Sequence, residues 1–277
     1  MSINRKRFLQ STGLAAGGAS LGFLGRELLE RWYMDAVTSA PPLPTVVVPR
    51  APVPEPAPTA ATPSQGEESF SQAGEDLIVK FTCQLLGISN ITYLDVGAND
   101  PVELSNTYFF YRKGYKGVLV EPNVSLCEKL RAIRPRDTTL AAGIGVTAAR
   151  EADYYIMTSP ALNTFSKEEV DHQTKTTKGA ISVKKVIKMP LLNINDVMAE
   201  HFKGAPTFLS VDTEGLDLAI LKSIDYKRFR PKIICAETLV SSTTKVRHEI
   251  PEFMATQGYV DRGGSLVNTI FMDSKIL

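Results

Sequence analysis

Four short apolar runs of this chain carry acids at their carboxyl ends. "ITYLDVG" holds Asp95, "GVLVEP" Glu121, "TFLSVDTEG" Asp212 and Glu214, and "PKIICAE" Glu237. Each run has the length and β-branched content of one buried strand. Between them, "ELSNTYFFYRKG", "SLCEKLRAIR" and "LDLAILKSI" space their apolar residues as helices do. Strands alternating with helices predict an α/β fold with a mostly parallel sheet. In such a sheet ligands bind beyond the carboxyl ends of the strands. The four acid-bearing ends should therefore meet along one edge.

The remaining elements follow from the same patterns. "GEDLIVKFTCQLLG", "NINDVMAEHF" and "HEIPEFMATQG" predict helices, and "TTLAAGIG" a further strand. Ser125 is the expected N-cap of the helix after Glu121. "ADYYIM" and "VKKVIKM" alternate like strands, and the polar "SPALNTFSKEEVDHQTKTTKG" between them reads as a mobile loop within an insertion. "YVDRGGSLVNTIFMD" predicts a terminal hairpin around Gly263-Gly264, hence an antiparallel sheet edge.

The turn after the first of these strands is informative. "LDVGAND" has one glycine, Gly97, so the G-x-G-x-x-G pattern of pyrophosphate binding is absent. Asp95 would also repel a pyrophosphate. A carboxylate there suits a cationic ligand or an amino group. Glu121 lies at the end of the next strand, where an acid can accept hydrogen bonds from a ribose diol. S-adenosylmethionine carries a sulfonium, an ammonium and a ribose diol, and it answers this set better than NAD does.

The same residues carry a family resemblance. "SQAGEDLIV", "LDVGAND", "SNTYFFYRKGYKGVLVEPN" and "FLSVDTEGLDLAILKSIDYKRFRPKIICAET", within residues 71–238, resemble the FkbM-type methyltransferases. The resemblance implies a class I, Rossmann-like methyltransferase fold: a seven-stranded, mostly parallel sheet with an antiparallel terminal hairpin. It also implies methyl transfer from S-adenosylmethionine to a hydroxyl of a sugar, glycan or natural product. Carried over by motif, Asp95, Gly97, Ala98 and Asn99 form the first cofactor motif and Glu121 the ribose acid. Asp212, Glu214 and Gly215 form a D-x-E-G motif. Ser71, Gln72, Gly74, Glu75 and Asp76 form an N-terminal motif over the cofactor, with Gln72 and Asp76 as contacts. Pro101 departs from the glycine usual after "GAND".

Methyl transfer requires alignment of the acceptor and removal of its proton. Asp212 and Glu214 are the candidate base, with Asp212 also a cofactor contact. Together they are also the candidate ligands of a Mg²⁺ ion, which prefers carboxylate oxygens. The alternative for Asp212 is a structural one, accepting backbone N–H groups at the next helix start. His172 is a further candidate base, and Asn163, Thr164 and Phe165 are candidates for an acceptor-binding loop. An NAD(P)- or nucleotide-sugar-binding oxidoreductase and a non-catalytic module on the same fold are the competing functions. The missing glycines oppose the first, and the intact strand-end acids the second.

The first residues are of another kind. "NRKRFLQSTGLAAGGASLGFLG" resembles a twin-arginine export signal, with Arg5-Lys6 in the paired position. Its apolar run is shorter than the roughly 20 residues of a spanning helix. Residues 1–40 are thus read as a signal-like or membrane-anchor segment, with Trp32 and Tyr33 as candidate interfacial anchors. Prolines at short intervals make residues 41–68 an extended linker, and residues 69–277 the methyltransferase domain. S-adenosylmethionine is made in the cytoplasm, so a membrane tether with a cytoplasmic domain is expected, with periplasmic export as the alternative. Lys+Arg 31 against Asp+Glu 30 gives no basic surface for nucleic acid. Cys83, Cys127 and Cys235 are expected as buried free thiols, since their spacing fits no zinc site.

Overall fold

The structure is a computed structural model that describes residues 66–240 and 245–277. The signal-like segment, Trp32, Tyr33 and the linker up to residue 65 lie outside the described residues. Among the described residues no helix is long and apolar enough to cross a membrane.

The strands are β1 (Thr92–Val96), β2 (Lys116–Val120), β3 (Thr138–Leu140), β4 (Gly143–Ile144), β5 (Glu151–Met157), β6 (Val183–Leu192), β7 (Phe208–Val211), β8 (Ile233–Glu237), β9 (Tyr259–Gly264) and β10 (Asn268–Asp273). The helices are α1 (Glu75–Leu85), α2 (Tyr108–Arg112), α3 (Val124–Ile133), α4 (Lys167–Thr176), α5 (Ile194–His201), α6 (Asp217–Ser223) and α7 (Glu249–Thr256). Seven strands form the main sheet in the order β3-β2-β1-β7-β8-β10-β9. β3, β2, β1, β7 and β8 pair in parallel, and β10 runs antiparallel between β8 and β9. This is the class I, Rossmann-like sheet with its antiparallel hairpin that the sequence predicts. Strand order reverses between β1 and β7, where open α/β sheets place their ligands.

Successive side chains of a strand point to opposite faces, and both faces here are covered. Leu94, Val96, Leu209, Val211 and Ile234 pack with Val197 and Met198 of α5, Ile220 and Leu221 of α6, and Met254 of α7. Tyr93, Leu119, Phe208, Ile233 and Cys235 pack on the other face with Val79 and Cys83 of α1 and Phe110 of α2. Each fully buried aliphatic side chain contributes about 1.5–3 kcal/mol. The three cysteines are buried and free.

Four local expectations are corrected. The single strand predicted over "TTLAAGIG" divides after Leu140. β3 joins the main sheet, while β4 pairs with β6 in a small sheet of order β4-β6-β5. The helix predicted from Glu103 begins at Tyr108, because Asp100 Oδ1 accepts from Val102 N and Glu103 N, 3.0 Å each, and holds a turn after Pro101. The N-cap of α3 is Asn123, whose side chain accepts from Ser125 N at 3.1 Å, and not Ser125. The polar stretch expected to be a mobile loop contains α4, capped by Ser166, which accepts from Glu169 N at 3.1 Å. Its inner side holds Glu169, Val170 and Gln173, so one apolar residue was too little to show a helical period.

Candidate active site

Strand register assembles the site. Asp95 lies beside Ser210 and Ser210 beside Cys235, across β1, β7 and β8. Two residues further on, on the same face, come Gly97, Asp212 and Glu237, and Asn268 of β10 pairs with Glu237. Four separate stretches thus form one row at the carboxyl edge of the parallel strands. Gly97 has φ +87°, and a Cβ there would lie 1.8 Å from the Asp212 carbonyl oxygen. The glycine is therefore required where the β1 turn passes the end of β7, rather than by a ligand alone. Gly97 N and Ala98 N both donate to Val120 O, at 2.9 and 3.2 Å, which ties this turn to β2.

The corner between β1 and β2 holds the nucleoside candidates. Glu121 Oε2 accepts from Asn99 N at 2.9 Å and Oε1 from Asn123 N at 2.7 Å. Each oxygen keeps the capacity for a second bond, one for each hydroxyl of a ribose diol. Burial pushes the Glu121 carboxyl up to about 7, partly offset by those two N–H groups. Asp95 is buried and accepts from Thr107 Oγ1 at 2.6 Å. Thr107 Oγ1 in turn accepts from Arg134 Nη2 at 2.9 Å, and Arg134 Nε donates to Asp137 at 2.8 Å. Tyr93 Oη donates to the same Asp137. This buried chain fixes the rotamer of Asp95 from behind. Burial raises the Asp95 carboxyl, while Thr107 and the Arg134 charge pull it down.

At the β7 and β8 ends the charge is almost all negative. Oxygens of Asp212, Asp217 and Glu237 all lie within 4.8 Å of one another. Burial, then Asp217, Asp95 and Glu75, push Asp212 up to about 7. Burial, then Asp212, Glu214 and Asp217, push Glu237 up to about 11, against the pull of Arg247. The structural role considered for Asp212 belongs to Asp217, which accepts from Thr213 N at 3.0 Å and Gly215 N at 3.3 Å. Glu214, the other member of the ligand pair expected from the D-x-E-G motif, is not among the three clustered carboxylates. It has φ +52°, and its carbonyl accepts from Thr164 Oγ1 at 2.9 Å.

The remaining candidates are placed as follows. Asp76 accepts from Ser69, Phe70, Ser71 and Leu77. It braces the N-terminal motif from within, and Gln72 is exposed. Glu75 of that motif reaches the site instead: it accepts from Ser265 Oγ at 2.5 Å and Asn268 Nδ2 at 3.1 Å. His172 lies half-buried on α4, three residues after Glu169. Glu169 packs over Gly215, its Cβ 3.4 Å from where a Gly215 Cβ would stand. Asn163 Oδ1 accepts from Met157 N, and Phe165 packs on Tyr154, 4.7 Å between centroids. The stretch 163–169 therefore lies over the D-x-E-G turn. Arg134, Thr107, Asp217 and Asn268 carry no motif signal that singles them out. Glu237 and Glu75 had one, as a strand-end acid and as a member of the N-terminal motif.

Residues 95–260 match the family model described as the methyltransferase FkbM domain. The chain belongs to the FkbM methyltransferase family. The match spans more than half of this FkbM-type, S-adenosylmethionine-dependent methyltransferase and includes Asp95, Glu121, Asp212, Asp217 and Glu237. No curated protein sequence matches it. Among solved structures, a TehB-like methyltransferase from Corynebacterium glutamicum is similar at 7% identity and TM-score 0.40, over 90% of this chain and 97% of that chain. An O-methyltransferase from Bacillus cereus in complex with S-adenosylhomocysteine is similar at 12% identity and TM-score 0.35, over 96% of each chain. The magnesium protoporphyrin IX methyltransferase from Synechocystis, with S-adenosylmethionine bound, is similar at 8% identity and TM-score 0.37, over 72% of this chain and 78% of that chain.

Proposed function

We propose that this FkbM-type domain transfers the methyl group of S-adenosylmethionine to a hydroxyl oxygen of a sugar, glycan or related acceptor. The observation that carries this is the adjacency of the Asp95–Glu121 corner to the acidic row of Asp212 and Glu237. Glu121 accepts the ribose hydroxyls, and Asp95, fixed through Thr107, faces the cationic part of the donor. Bound S-adenosylmethionine supplies an electrophilic methyl carbon on a sulfonium. The acceptor oxygen forms the new C–O bond, the electrons of the S–C bond stay on sulfur, and the hydroxyl proton leaves to a carboxylate. With no ion bound, Asp212, raised to about 7, is matched to that proton near neutral pH. His172, on the helix over the D-x-E-G turn, is the second candidate. A Mg²⁺ ion would serve the same step by lowering the hydroxyl's pKa.

The test is transfer of labelled methyl from S-adenosylmethionine to a panel of sugars, beside calorimetry with S-adenosylhomocysteine and NAD. Binding of S-adenosylhomocysteine and label on a hydroxyl support the proposal. NAD binding without S-adenosylhomocysteine binding overturns it. The signal-like N-terminus supports a tether at the membrane, and the cytoplasmic supply of S-adenosylmethionine supports a domain on the cytoplasmic side. Protease treatment of spheroplasts checks this: a cytoplasmic domain is protected, and digestion of the domain in intact spheroplasts would reject it.

A further inference from the structure

The acidic row contains buried oxygens with no donor. Glu237 is 7% exposed, and its Oε2 has no hydrogen-bond partner. Asn268 is 2% exposed and pairs with Glu237 across the strands, and its Oδ1 has no partner either. Both are acceptors. A buried acceptor left unpaired costs about 1–3 kcal/mol, more for a charged group. Asp95 and Glu75 add negative charge beside Asp212. Arg247 is the positive charge acting on Glu237 and Asp217, and it also lies 3.8 Å from Glu169. With Arg134 acting on Asp95 and Arg247 on Glu237 and Asp217, these carboxylates outnumber the guanidiniums that act on them among the described residues.

We propose that Asp212, Asp217 and Glu237 form a site for one hard divalent cation, Mg²⁺ or Mn²⁺. The donor set is all oxygen, which favours these ions over zinc or copper. The carboxylates come from the β7 end, the first turn of α6 and the β8 end, so they approach from three directions. The hydrogen bonds from Thr213 N and Gly215 N hold Asp217 in place, as supporting donors orient ligands at metal sites. A bound ion would keep all three carboxylates ionised and leave positions open to water or an acceptor hydroxyl. The site stands independently of the acceptor and of the donor.

The experiment titrates the full chain, stripped with EDTA and dialysed, with Mn²⁺ alone, read by electron paramagnetic resonance and by thermal melting. The expected result is one bound Mn²⁺ per chain and a raised melting temperature. Glu237→Gln should weaken that binding at least tenfold while melting cooperatively and, without metal, no lower than wild type. Asp212→Asn should weaken it likewise and serves as the second variant. Absence of stoichiometric Mn²⁺ binding, or binding that both folded variants retain, overturns the inference. A parallel titration of S-adenosylhomocysteine in EDTA separates the two proposals. Binding of that compound with no Mn²⁺ site rejects the cation site and leaves the methyltransferase reading standing.

Discussion

Replacing Gly97 with alanine separates two reasons for a glycine at the end of β1. If the residue serves only a ligand, the protein without ligand should tolerate a methyl group. The structure says otherwise, because the new Cβ would stand 1.8 Å from the Asp212 carbonyl oxygen. That is roughly 2 Å short of an unstrained contact, and the obstacle is backbone. The φ of +87° adds about 1–2 kcal/mol for a residue with a Cβ. Relief requires the β1 turn and the β7 end to part. That sacrifices the bonds Gly97 N to Val120 O, 2.9 Å, and Asp212 N to Val96 O, 3.0 Å, at about 1 kcal/mol each. The total is about 3–4 kcal/mol, or roughly 10 °C in melting temperature for a domain of this size. Urea unfolding without ligand measures it. An unfolding midpoint equal to wild type, with S-adenosylhomocysteine binding lost, would refute the close-approach argument and return the glycine to the ligand.

Thr107→Val removes the donor to Asp95 and an acceptor from Arg134; it should cost about 1–3 kcal/mol and weaken S-adenosylhomocysteine binding, with Thr107→Ser restoring both by denaturation and calorimetry. Glu121 is raised in the fold from 4.5 to about 7, so it stabilises the folded state below pH 4.5, and that contribution is lost as pH rises through 7. The stability of Glu121→Gln relative to wild type should therefore rise by about 2–3 kcal/mol between pH 5 and pH 8, while wild-type affinity for S-adenosylhomocysteine strengthens over the same range and that of the variant stays flat. Ser166→Ala should remove the α4 cap at a cost of about 1 kcal/mol, and hydrogen exchange should show protected amides across the second half of α4 in wild type; unprotected amides there would favour the loop expected from sequence.

The acid-ended strands were legible because burial on both faces leaves a near-continuous apolar run with an abrupt polar stop. That signal is local, and it located Asp95, Glu121, Asp212 and Glu237. α4 was not legible, since its buried side is mostly Glu169 and Gln173, held by hydrogen bonding rather than apolar packing. The division of "TTLAAGIG" was hidden for a related reason. Gly143 lies against the Phe165 ring, 2.4 Å from where its Cβ would be, and that contact joins residues far apart in the chain.

The sequence by itself determined the sheet, its hairpin and the family, because period, glycine stops and strand-end acids are properties of neighbouring residues. Which carboxylates meet was decided by tertiary structure. Asp212 and Glu214 are close in sequence, yet Asp212 clusters with Asp217 and Glu237, because parallel pairing of β7 with β8 puts Ala236 beside Val211 and the next residues beside each other. The use of Gly97, the buried Arg134–Thr107–Asp95 chain and the unpaired oxygen of Glu237 likewise depend on contacts between residues tens to more than a hundred positions apart, which no local pattern records.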